Sequence, residues 1–444
     1  MRLPNELLSD IAEWLDYERD INALARTNRR LFANLNHFLY RRNAEETGGS
    51  ALIWAAATGQ EQTARNALEA CDEDVSAALR ESARCCQESI VRLLIKSSNV
   101  EVDSRDEFGR TPLSWATDEG HMPVVKLLLK SGSIDINSRD NAGRTPLSRA
   151  AELGRESTVR FLLKSGNVDI NSRDNAGQTP LSRAAGQGHA SVVKLLLASR
   201  NTEVDSRDNS CQTPLLRAAE GGYESIIRRL LASGNVEVDS RGGLDQTPLS
   251  RAAEGGHESI VRLLMETGNV EVDSKDEFGA TPLLRAAENG HVPVVELLLE
   301  SGNVEVDSRD RFGITPLSVA AKGGHKSIVR LLLESGNVEV DSRDKQAHSP
   351  LSLAAYEGHE SVVRLLLESG NVKVDSRDEF GRTPISWAAG KGYVSVVKLL
   401  LASGNAEVDS RDKTGQTPLS WAALGRHELI FRLLLDVLQK RRGK

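Results

Sequence analysis

The chain has 444 residues, of which 39% are hydrophobic, 27% are charged and only 4% are aromatic, and its formal net charge is −7. This hydrophobic content is typical of a folded globular protein and excludes global disorder. Because no apolar run reaches the length of a membrane span and no basic stripe occurs, we expect neither a membrane nor a nucleic-acid partner.

The first 46 residues are predicted to form three short helices. The apolar residues of the first helix recur at the spacing of one helix face. Asp20 is suited to cap the second helix, and the third begins near Asn28. Three helices of this size can barely form a core unaided, so we expect them to lean on the rest of the chain, on a partner, or on both. The apolar face of the first helix consists of Leu7, Leu8, Ile11 and Leu15.

The segment opens on an LPxELL motif and later contains LxRTNRRL, residues 24–31. It resembles an F-box, a motif that docks on the Skp-type adaptor of a Skp–cullin–F-box ubiquitin ligase. It departs from that family at Thr27, where Val is common, and at Leu31, where Trp is common. The alternative is a three-helix cap that only shields the end of the repeat array. By resemblance, the adaptor-binding positions are Leu3, Pro4, Leu7, Leu8, Ile11, Leu15 and Leu24.

A Thr-Pro-Leu motif or a near variant recurs every 34 residues from Thr111 onward. Ten such repeats follow one another without an insertion, and two weaker copies occupy residues 47–110. A period of 34 also fits tetratricopeptide repeats, which fill the period with two long helices. Here the stretch between motifs contains too many turn-forming residues to be helical. The repeat is therefore predicted to combine two short helices with an extended finger.

The repeat around Thr315 illustrates the predicted helix boundaries. Thr315 can cap a first helix that starts at the following proline, and Gly323-Gly324 ends it. A second helix is predicted to start near Lys326 and to stop at Gly336. Leucines and alanines at helical spacing form the apolar faces of both helices.

This TPLSxAA-to-LLL pattern resembles the ankyrin repeat, strongly over 111–435 and weakly over 50–110. The resemblance implies an all-α fold, an ankyrin-repeat solenoid of about twelve units, each a helix-turn-helix plus a β-finger. The domain boundaries are then 1–46 for the F-box-like motif, 47–110 for two degenerate repeats, 111–435 for ten regular repeats and 436–444 for a basic tail. The combination is similar to F-box/ankyrin repeat proteins of the fungal type.

Differences between repeats point to a binding surface on the first helices, the face with which ankyrin arrays bind partners. Two positions past the motif leucine, a helical wheel turns the side chain away from the core. The middle repeats carry an arginine ladder there, and the last four carry an apolar and aromatic strip. Tyr356 of the strip lies five positions past its motif leucine, which the wheel also turns away from the core. Phenylalanines occupy several finger tips. The alternative for the ladder is that its arginines form pairs with glutamates that only aid solubility. The alternative for the strip is that neighbouring repeats cover it. The ladder is Arg149, Arg183, Arg217, Arg251 and Arg285; the strip is Val319, Leu353, Tyr356, Trp387 and Trp421; the finger-tip phenylalanines are Phe108, Phe278, Phe312 and Phe380.

Catalytic and metal-binding patterns are weak. Seven of the nine histidines share the turn between the two helices of a repeat, which indicates a structural role, and the four cysteines lack a metal-binding spacing. We therefore expect no enzymatic activity, no cofactor and no metal. The first hypothesis for the function is a substrate receptor of a Skp–cullin–F-box ubiquitin ligase that binds an unknown protein target. The second is an ankyrin scaffold or inhibitor; in either case we expect a monomer outside its complex, in the cytoplasm or the nucleus.

Overall fold

The computed structural model describes residues 50–70, 75–132 and 134–442. The predicted F-box-like helices and all adaptor-binding positions lie outside the described residues. Within them the chain is all-helical, with 24 α-helices and no β-strand, and none of these helices is long and apolar enough to cross a membrane. The fold divides into an N-terminal unit that ends at Asn209 and a C-terminal unit that begins at Ser210.

The N-terminal unit contains five helix pairs, each formed by a first helix, a short turn and a second helix. Within this unit, first helices pack on first helices of the next pair and second helices on second helices. The pairs are α1 (Ser50–Thr58) with α2 (Glu61–Ala70), α3 (Val75–Arg84) with α4 (Glu88–Leu94), α5 (Pro112–Glu119) with α6 (Met122–Lys130), α7 (Pro146–Glu152) with α8 (Glu156–Lys164), and α9 (Pro180–Gly186) with α10 (Ala190–Leu197).

The C-terminal unit contains seven further pairs stacked in the same way, and a short 3₁₀ helix, Gly243–Asp245, in one finger. The pairs are α11 (Pro214–Glu220) with α12 (Glu224–Ala232), α13 (Pro248–Glu254) with α14 (Glu258–Glu266), α15 (Pro282–Glu288) with α16 (Val292–Glu300), α17 (Pro316–Gly323) with α18 (Lys326–Glu334), α19 (Pro350–Glu357) with α20 (Glu360–Glu368), α21 (Pro384–Lys391) with α22 (Val394–Ala402), and α23 (Pro418–Leu424) with α24 (Glu428–Arg442).

The Thr-Pro motif starts the first helices as predicted. Thr281 has an extended backbone, and its Oγ1 accepts a hydrogen bond from the Leu284 N–H at 3.3 Å, while Pro282 needs no partner at the first helical position. The same Oγ1 lies 3.0 Å from Ser308 Oγ in the following finger. The cap therefore also joins one repeat to the next.

Leucines, valines and alanines of both helices form the core. In the N-terminal unit, Leu147 and Ala150 of α7 and Leu162 of α8 are fully buried. In the C-terminal unit, Leu283 of α15 and Leu298 of α16 are equally buried. Small alanines let successive first helices approach closely, so each pair buries its apolar faces against its neighbours.

The fingers differ from the predicted β-finger, because they consist of turns. Asp140 shows how they are held: its Oδ1 accepts hydrogen bonds from the N–H groups of Ala142 and Arg144, at 2.9 and 2.8 Å. The backbone bond that joins this finger to the preceding one runs from the Asn141 N–H to the Phe108 carbonyl, at 2.9 Å. One such bond per repeat does not make the ladder of a sheet. The side chains of the finger aspartates thus hold the finger backbone in place, where the prediction expected paired strands.

The last helix runs into the segment predicted as a basic tail, 436–444. Helix α24 continues through Arg442, so this segment is helical as far as that residue. Ile430 and Leu434 on its inner face are fully buried, so the basic residues that follow extend a helix anchored in the core.

Candidate binding groove

In several repeats the side chain two positions past the motif leucine reaches back to its own finger, whereas Arg149 and Arg251 pair with carboxylates of first helices. In α9, Arg183 Nε and Nη2 lie 2.9 and 2.5 Å from Asp174 Oδ2. In α21, the Trp387 indole N–H donates to Asp378 Oδ2 at 3.0 Å. Both carboxylates are fully buried. This position was predicted to face away from the core, and the finger covers it instead.

The arginine ladder is engaged in ion pairs within the protein. Arg149 Nη2 lies 2.5 Å from Asp118 Oδ2, and its Nη1 lies 3.0 Å from Glu152 Oε2. Arg285 Nη2 lies 2.6 Å from Asp276 Oδ2. The side chains of Arg149, Arg183, Arg251 and Arg285 are only 13–21% exposed, and Arg217 is also half-buried. The ladder therefore offers little free positive charge to a partner.

A groove of about 780 Å³ opens in the C-terminal unit where the equivalent residues are Val319 and Leu353. An aliphatic side chain cannot bridge to the finger as Arg or Trp does, so the space between helix and finger stays open. The groove extends over α17, α19 and α21 and reaches Glu288 at the end of α15. Its apolar lining is Ile314, Val319, Leu353, Tyr356, Phe380 and Trp387, and its charged or polar lining is Glu288, Ser318, Lys322, Asp344, Gln346, His348, Ser352, Glu357 and Glu379.

Two aromatic side chains of the predicted strip contact each other at one side of the groove. The rings of Tyr356 and Trp387 meet edge to face, with centroids 4.8 Å apart. The Arg382 guanidinium lies 4.5 Å from the centroids of both Trp387 and Trp421. Trp421 does not line the groove; its indole N–H donates to Asp412 at 2.9 Å. The structure thus brings four members of the strip together and leaves Trp421 beside them.

The hydrogen bond from Trp421 also affects the acidity of its acceptor. Burial alone would raise the pKa of Asp412, but hydrogen bonds donated by Thr414, Gln416 and Trp421 together hold it below its ordinary value. The carboxylate therefore stays ionised and keeps the finger and the helix joined at neutral pH.

The finger-tip phenylalanines are exposed, as expected from their register. Phe108, Phe278, Phe312 and Phe380 keep 39–56% of their surface accessible. Of these, Phe380 alone lines the groove. Phe380 is therefore the one finger-tip phenylalanine that lines the same groove as members of the strip.

His348 is a groove residue that the sequence analysis did not single out. Its Nδ1 lies 3.0 Å from Asp344 Oδ2, and its Nε2 lies 3.9 Å from Asp378 Oδ2. The sequence does distinguish it, because His348 directly precedes Ser349-Pro350, whereas the turn histidines lie between the two helices of a repeat. The turn histidines have the structural role that was predicted: His359 Nε2, for example, lies 2.8 Å from a carbonyl oxygen of the preceding repeat.

A family model described as ankyrin repeats (three copies) matches residues 79–174, 166–241, 235–310, 302–378 and 370–441. These matches cover most of the chain, which therefore belongs to the ankyrin repeat family and is a protein–protein interaction module. No F-box model matches, and no curated protein matches significantly. Within the described residues, no cluster of three or more His, Cys, Asp or Glu side chains could hold a metal ion.

Proposed function

We propose that the chain is a substrate receptor of a Skp–cullin–F-box ubiquitin ligase. Residues 1–46 dock on the Skp-type adaptor, and the groove over α17, α19 and α21 holds the protein target. The protein acts in the cytoplasm or nucleus, is monomeric outside the complex, and uses no cofactor or catalytic residue of its own. The LPxELL opening and the LxRTNRRL sequence support the adaptor role.

The groove is the observation that supports target binding. Its volume of about 780 Å³ and its mixture of rings, aliphatic side chains and a few polar groups are typical of a binding site. Tyr and Trp side chains often dominate binding energies in interfaces, because they bury a large area at a small entropic cost. Several other repeats close the equivalent space with an Arg–Asp or Trp–Asp bridge, as Arg183 does with Asp174 and Trp421 with Asp412.

Co-purification with the cell's Skp-type adaptor tests the adaptor role. The full chain should retain the adaptor, and a chain lacking residues 1–46 should not. Changing Leu7 and Ile11 together to Asp should abolish binding, because two charges would enter a desolvated helix face. The matched control changes Leu424 and Leu429 to Asp, since both are exposed on the last helix pair. Undiminished binding by the Leu7/Ile11 variant would show that docking is misassigned, and no binding by the unaltered chain would favour an ankyrin scaffold or inhibitor.

Two tryptophans provide a matched test of target binding. Trp387 and Trp421 donate equivalent hydrogen bonds to finger aspartates, but Trp387 alone lines the groove. Trp387→Ala should weaken binding of a co-purified target by about 2 kcal/mol or more. Trp421→Ala should weaken it much less. Isothermal titration of both variants measures the difference, and equal losses would place the target elsewhere on the array.

A further inference from the structure

We infer that the groove binds a polypeptide segment in which apolar side chains are flanked by Lys or Arg. This inference rests on the proposed function only in that a protein target occupies the groove. It specifies the chemistry of that target, which the ankyrin fold leaves open.

Free acidic groups at the edge of the groove supply the first part of the argument. Glu357 at the end of α19 and Glu379 at a finger tip both line the groove, and neither forms an ion pair with another described residue. Glu288 adds a third carboxylate, 47% exposed, although it also contacts Arg285 at 3.1 Å. Lys322 is the one lysine of the lining, and Lys391 and Arg382 lie against the rings of Tyr356 and Trp387. The four carboxylates of the lining therefore outnumber these three cations. The edge therefore favours a cationic partner and disfavours an acidic one.

The apolar floor supplies the second part. Leu353 and Tyr356 are half-buried, and Phe380 is 50% exposed next to Glu379. An aliphatic or aromatic side chain of a partner would cover these groups and remove apolar surface from water. The face of an aromatic ring also attracts cations, and the Tyr356 ring already carries Lys391 Nζ at 4.4 Å from its centroid. The Phe380 ring already has the Arg382 guanidinium carbon 5.4 Å from its centroid. The group here that suits a partner's Lys or Arg is therefore the Glu379 carboxylate beside the ring.

The extent of the groove favours a polypeptide segment. It is lined mainly by residues of three consecutive first helices, α17, α19 and α21, and of two finger tips, with Glu288 of α15 at one end. Packed helices lie about 9–10 Å apart, so three of them span about 20 Å. An extended chain rises about 3.3 Å per residue, and roughly six residues would fill that length. Such a segment can place apolar side chains on the floor and basic side chains at both edges.

Selection from a phage-displayed library of random twelve-residue peptides tests the inference on the full chain. We expect selected peptides to carry one or two apolar residues flanked by Lys or Arg. Leu353→Arg is the blocking variant, because it replaces an apolar side chain of the groove by a long cationic one that should fill the groove and repel the basic flanks of a selected peptide. It should weaken a selected peptide at least tenfold while helical circular dichroism stays unchanged.

Leu429→Arg is the matched control, because it makes the same substitution at a side chain that is 67% exposed and outside the groove. It should bind the selected peptides as the unaltered chain does. If Leu429→Arg weakens them equally, or if Leu353→Arg leaves them unaffected, the groove is not the site and the inference is overturned.

Reversing the edge charge tests the chemistry separately. The double variant Glu357→Lys with Glu379→Lys should weaken the basic peptides severalfold and select peptides with acidic flanks instead. For the unaltered chain, binding should fall as salt rises. Recovery of no peptide, or of peptides without basic flanks, overturns the inference. Because peptide selection involves no adaptor, failure of the ubiquitin-ligase proposal would show separately in co-purification.

Discussion

One finger position is Asn at residues 137 and 171 and Asp in the other regular repeats, and the two residue types satisfy the same backbone differently. Asn137 Oδ1 accepts the Asp169 N–H at 2.8 Å, while its Nδ2 donates to the Asn167 carbonyl at 3.0 Å. Asp307 Oδ2 accepts the Glu339 N–H at 2.8 Å, but its buried Oδ1 has no hydrogen-bond donor among the described residues. Burial raises the pKa of Asp307 above its ordinary value of 3.8. The aspartate version therefore leaves one oxygen desolvated without compensation.

Replacing this aspartate by the natural alternative should stabilise the array. In Asp307→Asn the amide can donate to the Asn337 carbonyl, which corresponds to the acceptor used by Asn137, and we expect a gain of about 1 kcal/mol at pH 7. A raised pKa means that the folded state holds the proton more tightly, so the unaltered chain gains stability as pH falls through that pKa. The advantage of the Asn variant should therefore shrink toward pH 4. Urea unfolding at both pH values measures it.

The reverse change serves as the control for this prediction. Asn171 Oδ1 and Nδ2 make the same two bonds, at 2.9 and 2.7 Å. Asn171→Asp should lose stability at pH 7 and recover part of it in acid. An advantage of Asp307→Asn that grows as pH falls would contradict the assignment.

At the scale of the helix, the Thr cap predicts a cost that depends on one hydrogen bond. Thr281 caps α15 through the Leu284 N–H, whereas Thr383 makes no such cap bond to α21. Thr281→Ala should cost about 1 kcal/mol, and Thr383→Ala should cost less. Hydrogen exchange should show loosening of the Thr281 variant confined to repeats within about 247–350, because repeats couple to their nearest neighbours. Uniform loosening of the whole C-terminal unit would contradict this picture.

Helix boundaries could be predicted from the sequence because their signals are local. The start at Pro316 and the stop at Gly323 depend on a cap, a fixed φ and a glycine within ten residues. The groove depends on contacts between a helix and a finger nine residues earlier in the chain, as in Trp387 with Asp378. A helical wheel describes one helix alone, so it could not show that the finger covers Arg183. The wheel did identify the helix position at which Leu353 stands in place of the Arg or Trp of other repeats.

At the scale of the molecule, the division at Asn209 and Ser210 predicts a separable C-terminal unit. A fragment of residues 210–444 should unfold cooperatively on heating, because its helix pairs bury their faces against one another. A fragment of residues 222–444 is the matched control, since it removes α11 and leaves α12 alone. The buried side chains Ile226, Ile227 and Leu230 of α12 would then lose their first-helix partner. Compared with the 210–444 fragment, the 222–444 fragment should therefore lose more helical circular dichroism than the removal of α11 alone explains. A loss no larger than that of α11 would contradict the boundary.

Bonds between repeats recur at constant offsets, and this regularity has a consequence for how such a gene can change. Thr281 pairs with Ser308 at an offset of 27 residues, and Arg311 donates its N–H to Phe278 at an offset of 33. Recombination that removes or copies one whole period, such as residues 247–280, would give every broken bond an equivalent new partner. The number of repeats between residues 1–46 and the groove can thus change by single steps over generations, while the groove itself passes unaltered from one length of array to another.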